Sequence, residues 1–397
     1  MTDAVSPALT DRIDRIGRTA AGAGVVGLVA GGAGAIFMPA AFFRAYLLGF
    51  VFLTGLSLGS LAIVMLHHLT GGTWGLVTRR VLEAATRTLP LLALMFVPLV
   101  FGLSHLYVWA RPEVVQGDAV LQHKQPYLNV PFFLARAAIY FAVWNAVAFL
   151  LNRWSREQDD DGATATLDGV RRFRVLSAPG LVAYGLTVTF ASVDWVMSLD
   201  PHWYSTIFGV IVMGGQALSA LAFAVAVLFL LREHEPLRGV VQPAHLHDLG
   251  KLLLAFVMLW AYFSFSQFLI VWSGNLPEEI PWYLERLHGG WGWVSAFILL
   301  AHFVLPFLLL LSRDLKRHAG TLAAIALALI VMRFVDLFWM IAPSLPPAPL
   351  WQRWMDVAVP VGLGGVWLAV FARQLAARPV LPVKDPYFRE TFLDVVR

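Results

Sequence analysis

Apolar positions in this chain run in long blocks. Ten stretches of about 20 mainly apolar residues, the length that carries a helix across a bilayer core, fall at roughly 18–38, 41–67, 84–109, 131–151, 176–198, 205–231, 250–273, 291–311, 319–342 and 355–376. Charged or Pro/Gly-containing connections separate them, the longest being 110–130, 152–175, 232–249 and 274–290. The pattern predicts an all-α integral membrane fold of about ten transmembrane helices.

Composition agrees with that reading. The chain is 59% hydrophobic and only 14% charged, whereas a soluble domain has about 25% charged residues. So large an apolar surface needs lipid as its solvent. Cysteine is absent, which removes disulfides, Cys-ligated zinc and Cys-ligated iron–sulfur clusters. The first 18 residues are polar and are not expected to act as a cleavable leader. Basic residues then give the orientation. With the N-terminus placed inside, 22 of the 29 Lys and Arg fall in inside segments, five outside, and Arg136 and Arg333 within spans. The excess predicts that both termini are cytoplasmic; the expected location, a bacterial inner membrane, follows from the resemblance given below. The outer connections are instead rich in Pro and aromatic residues, as in Pro201-His202-Trp203-Tyr204 and Pro281-Trp282-Tyr283.

A repeat divides the ten spans. Span 5 ends with Asp194 and has Pro201 seven residues on; span 9 ends with Asp336 and has Pro343 at the same distance. Span 3 leaves the membrane through Trp109 and Pro112-Glu113, span 7 through Trp272 and Pro277-Glu278. Small residues line span 2 (Gly55 to Ser60) and span 6 (Gly215 to Ser219) alike. The expected organisation is an N-terminal segment with span 1 (1–40), a first four-helix bundle of spans 2–5 (41–200), a second of spans 6–9 (201–345), and span 10 with a C-terminal tail (346–397).

Ionisable residues inside spans are costly and mark functional candidates. They are Arg136, Asp194, Arg333, Asp336 and His302, with Gln267 as a polar companion on span 7. With the orientation above, the two Arg and two Asp gather toward the outer side, the Asp at equivalent repeat positions. Arg333 and Asp336, three apart on one helix face, are placed to pair. The arrangement suits proton transfer or a quinone head group; it equally suits ion pairs that fix helix register. No two mid-membrane His match in depth, so no haem or other His- or Cys-ligated cofactor is expected. Gly22 to Gly27 fits the GxGxxG spacing of dinucleotide sites, but it lies inside a span, where small residues serve close helix packing.

Three stretches resemble a known family. Asp194 to Thr206 is similar to a signature of the second large membrane subunit of alternative complex III. The segment from His247 to Lys251, through Phe263 to Phe268, to Asn275–Glu279 resembles one found in both large membrane subunits of that complex. His67 to Gly75 is similar to the end of their second helix. The resemblance implies an NrfD-like (polysulfide reductase NrfD family) fold and a role in a quinol:electron-acceptor oxidoreductase, with menaquinone or ubiquinone as the cofactor. It implies as partners a paralogous NrfD-like subunit, an iron–sulfur subunit and multihaem cytochrome c subunits, besides lipid; no nucleic acid is expected. Asp194 and Asp336 become the expected proton-path groups, with Arg136 and Arg333 adjusting them. Two other readings stay open: a secondary transporter built on a duplicated bundle, and a passive membrane anchor of a redox complex.

Overall fold

The computed structural model describes residues 7–161, 166–347 and 349–392; Arg397, counted above among the inside charges, lies outside them. Among the described residues ten helices are long and apolar enough to cross a membrane, and no strand forms. They are span 1 (Pro7–Phe37), span 2 (Pro39–Thr70), span 3 (Thr73–Phe101), span 4 (Val130–Asp160), span 5 (Gly169–Leu199), span 6 (Phe208–Leu231), span 7 (Pro243–Gly274), span 8 (Trp291–Leu311), span 9 (Ala319–Ile341) and span 10 (Met355–Ala376). The fold is an all-α integral membrane protein. Several boundaries are set by local chemistry. Pro39 and Pro243 stand in first turns, where the missing N–H costs nothing. Span 2 stops at Gly71 with φ 71°, and span 7 at Asn275 with φ 49°, left-handed positions that satisfy the last carbonyls.

Span 3 departs most from expectation. It begins at Thr73 rather than near 84 and ends at Phe101, leaving 102–110 as short turns. The helix Thr73–Thr86 contains Arg79, Arg80 and Glu83, which read as connection chemistry along the sequence, yet all three are buried. Glu83 pairs with both arginines, and Asp159 and Asp385 complete the neutralisation.

Contacts between connections establish the up-and-down order. At one end, Asp385 meets Arg79, Lys384 meets the last turn of span 4, and Gly250 lies against Lys316. At the other, Lys124 bonds the Pro201 carbonyl, His202 meets Asp118, Trp203 stacks on Trp282, and Arg44 pairs with Asp356. The described ends of the chain therefore share one face, here termed the terminal end. Spans 2, 3, 4 and 5 close one ring of contacts and spans 6, 7, 8 and 9 another. Spans 2 and 6, the most buried of the ten, join the two rings.

Small residues permit that junction. A Cβ at Gly59 would lie 2.0 Å from the Gln216 carbonyl oxygen. The GxGxxG segment does the same for span 1, which runs antiparallel to span 10: a Cβ at Gly27 would lie 2.6 Å from Gly362 Cα. Backbone-to-backbone approach of this kind supplies van der Waals packing where lipid removes the hydrophobic drive between helices. Gly59→Val is accordingly expected to destabilise the protein by about 3 kcal/mol, the upper range for overpacking. Thermal unfolding in detergent should show a clear loss for Gly59→Val and none for Gly32→Val, whose Cβ meets nothing within 4 Å; equal midpoints would refute the close crossing.

Candidate functional site

The structure separates the candidate residues into three places. In the first ring Arg136 of span 4 faces Asp194 of span 5 in a bidentate pair, Nε to Oδ2 at 2.8 Å and Nη2 to Oδ1 at 2.8 Å. The Tyr140 hydroxyl donates to Oδ2 at 2.7 Å, and Arg136 Nη1 donates to the Tyr127 carbonyl at 3.0 Å. The Tyr127 ring lies 3.8 Å from the guanidinium carbon. Asp194 is fully buried, so a lone carboxylate there would cost several kcal/mol; three donors from span 4 offset that cost. Helical spacing on span 4 places Arg136 and Tyr140 on one face, four residues apart.

In the second ring both partners come from span 9. Arg333 Nη1 donates to Asp336 Oδ2, and the Trp260 indole of span 7 donates to the same oxygen at 3.2 Å. Gly215 of span 6 leaves the space that Arg333 fills, since a Cβ there would sit 2.2 Å from Cζ. His302 of span 8 packs on the Trp260 ring with centroids 4.1 Å apart. Its side chain is fully buried, and neither ring nitrogen has a hydrogen-bond partner. Residues Leu299–Val304 wind as a π-helix, which turns His302 inward. Such single-turn distortions are frequent at functional sites. A buried, unsatisfied imidazole beside a buried ion pair has no structural justification of its own.

Gln267 belongs to neither pair. Its Oε1 accepts from Ser205 at 2.8 Å and its Nε2 donates to Tyr283 at 3.1 Å, so it ties span 7 to the connections at the non-terminal end. Close to that end a cleft of about 400 Å³ opens, lined by Lys124, Tyr127, Val193, Met197, Trp203 and Tyr204 among others. Its back wall is thus the residue before Asp194 and the ring that stacks on Arg136. Burial lowers the Lys124 ammonium from its ordinary value, with Asp200 opposing. Among the described residues no three His, Asp or Glu side chains gather as a metal ion would require.

Two features escaped the sequence. The larger concentration of buried charge lies at the terminal end, not at the opposite one as expected. Glu83 receives Arg79 at 2.8 Å and Arg80 at 2.8 Å; Arg79 reaches Asp385 at 2.7 Å, and Arg80 reaches Ser155 and Asp159 on span 4. Arg79 and Arg80 had counted as aqueous connection charges, and only the arrival of residues from spans far along the chain reveals them as buried. Arg286 is the second. It is fully buried, stacks 3.6 Å from the Trp282 ring, and donates to the Trp339 and Met340 carbonyls at the end of span 9. Burial lowers its guanidinium to about 9, Glu285 and Asp200 opposing, which leaves it charged at neutral pH and suited to a helix C-terminus.

No protein-family model matches the sequence, and no curated protein matches it. The geometry therefore carries the interpretation.

Asp194→Asn is expected to cost about 3–5 kcal/mol, because Arg136 then stays buried without its counter-ion. The double variant Arg136→Gln/Asp194→Asn should lose less than the two single variants together. A thermal-unfolding double-mutant cycle measures this, and strictly additive losses would show that the pair is not coupled.

Proposed function

We propose that this chain is a membrane subunit of a quinol:electron-acceptor oxidoreductase of the alternative complex III type, presenting a quinone-facing surface and a proton path. One observation carries the reading. The stretch Asp194 to Thr206, which resembles the alternative complex III signature, supplies Met197, Ser198, Pro201, Trp203 and Tyr204 to the wall of the 400 Å³ cleft. That cleft is mostly apolar, of a volume within the usual range for small-molecule sites, and backs onto the Arg136–Asp194 pair. A quinone ring fits such a wall, and Lys124 and Tyr127 supply polar groups at its edge.

Quinol oxidation releases protons, which need a titratable group to receive them. Asp194 has both oxygens engaged, so its work is to fix Arg136 and Tyr140 beside the cleft. Both hydrogen bonds to Asp336 fall on a single oxygen, and His302 is unengaged on the same Trp260 indole. A neutral imidazole with both nitrogens open accepts a proton at one and releases it at the other. The proton path is accordingly assigned to His302 and Asp336. The Lys/Arg excess of the terminal-end connections supports a bacterial inner-membrane setting with both termini cytoplasmic. The partners inferred from the resemblance, a paralogous membrane subunit, an iron–sulfur subunit and multihaem cytochromes, would cover the opposite face.

Purification of the tagged chain from its host's membranes, followed by quinol oxidation and proton-release assays, tests the proposal. Met197→Trp should raise the KM for quinol by filling the cleft. His302→Ala should slow quinol oxidation and the accompanying proton release by about 100-fold, the low end of general acid–base contributions. Unchanged kinetics in both variants, or a chain that purifies alone and moves a solute across vesicle membranes, would overturn the redox reading in favour of transport.

A further inference from the structure

At the terminal end, spans 3, 4 and 10 frame an open cleft of about 830 Å³, remote from the sites above. Four arginines line it: Arg87 from span 3, Arg153 and Arg156 from span 4, and Arg378 just beyond span 10, of which Arg153 is paired with Glu157. Arg378 is more than nine-tenths buried, yet its Nε and Nη1 have no hydrogen-bond partner. Arg87 donates one Nη2 bond to the Gln374 carbonyl at 2.6 Å and leaves its Nε unpartnered. Most of the carboxylates nearby are already committed, and Asp160 at the end of span 4 also lines the cleft. Glu83 and Asp159 are held by Arg79 and Arg80, and Glu157 by Arg153 and Arg172. Burial lowers the Arg378 guanidinium from its ordinary value; Glu83 and Asp159 oppose this, while Arg156 and Arg80 add to it.

Elsewhere in this protein each buried Arg side chain meets a carboxylate or a row of carbonyls. Here Arg87 and Arg378 line an open cleft with buried N–H groups left unpartnered, an arrangement that is costly unless an acceptor is supplied. The other wall of the cleft is apolar. Pro90 and Phe149 line it, and Phe149 is 64% exposed on the outside of the bundle. Asn152, also lining the cleft and buried, uses its amide nitrogen on Thr86 and on the Ala148 carbonyl, and its Oδ1 has no donor.

We propose that this cleft seats the phosphate of an anionic lipid, gripped by Arg378, Arg87 and Arg156, with an acyl chain laid over Pro90 and Phe149. Guanidinium groups bind phosphate oxygens in paired, charge-assisted hydrogen bonds. A free phosphate would satisfy the cations but leave the apolar wall uncovered; a lipid of the adjoining leaflet serves both. The open Asn152 oxygen accepts from a headgroup hydroxyl, which makes phosphatidylglycerol the appropriate probe. Basic pockets between helices are established sites of such recognition.

The full chain, reconstituted in nanodiscs of phosphatidylglycerol and phosphatidylcholine and released for native mass spectrometry, provides the test. The wild type should retain phosphatidylglycerol in preference to phosphatidylcholine. Arg156→Gln, at an exposed position that folding does not depend on, should reduce the retained fraction about fivefold, the effect of one cation at a membrane surface. Arg378→Gln should abolish it, and Arg317→Gln, an exposed charge of the connection between spans 8 and 9, should change nothing. Retention of phosphatidylcholine to the same degree, insensitivity to Arg156→Gln, or full competition by inorganic phosphate at equal concentration would each overturn the lipid assignment.

Discussion

A charge drawn away from water must bring its counter-ion, because desolvating an isolated ion costs several kcal/mol even after the protein relaxes around it. In this fold that requirement decides which segments meet. Arg79 and Arg80 cannot be buried without Glu83, and one carboxylate cannot neutralise two cations, so Asp159 from span 4 and Asp385 from beyond span 10 are drawn in. The short helix that follows span 10 is thereby fixed beneath span 3. Arg44 and Asp356 tie the beginning of span 2 to the beginning of span 10 in the same manner at the opposite face. Ion pairs act here as staples between segments separated by hundreds of residues, while the lipid-facing surface contributes no comparable specificity.

Packing supplies the second constraint. Spans 2 and 6 approach closely enough at Gly59 and Gln216 that no side chain fits between them. The two rings meet along this line, and each ring keeps a buried Arg–Asp pair near its non-terminal end. The pairs differ in construction. Asp194 takes its Arg from the neighbouring span, with a Tyr hydroxyl as third donor; Asp336 takes its Arg from one turn away on its own helix, with an indole as the second donor. Equivalent carboxylates thus occupy non-equivalent settings. The first locks two spans together. The second leaves one oxygen outside its hydrogen bonds, and its indole donor packs against an unpartnered histidine.

What the chain revealed in advance follows from the range of each interaction. Span number and order were legible because the bilayer imposes a length on every segment independently of its neighbours. The Arg333–Asp336 pair was legible because three residues on a helix are neighbours by geometry. The glycines of span 1 were legible as packing residues, although not their partner on span 10. Thr73–Thr86 was not legible as part of a span, since the carboxylates that complete its neutralisation, Asp159 on span 4 and Asp385, lie 79 and 306 residues from the arginines they meet. Arg286 was hidden for the same reason: what holds it is a row of carbonyls and an indole assembled only in the folded state. The gathering of candidates into one outer cluster also failed, because depth along a helix says nothing about which way a side chain faces. Gln267, near the pairs in height, turns instead to Ser205 and Tyr283.

The contrast between the two rings bears directly on how work could be divided within the molecule. A carboxylate with both oxygens engaged by donors from the neighbouring span holds those donors in place. Such a group is suited to holding a binding wall in place, and Asp194 stands behind the apolar cleft. A histidine with two unused nitrogens is the reverse: its surroundings stabilise neither tautomer, and the π-turn that aims it inward keeps it from the lipid. Backbone distortion and an unsatisfied buried group are both unfavourable for folding alone. The two coincide at His302, one indole away from Asp336. In a duplicated architecture, one copy can specialise in rigidity and the other in titration, provided the small-residue seam between spans 2 and 6 holds them in fixed register.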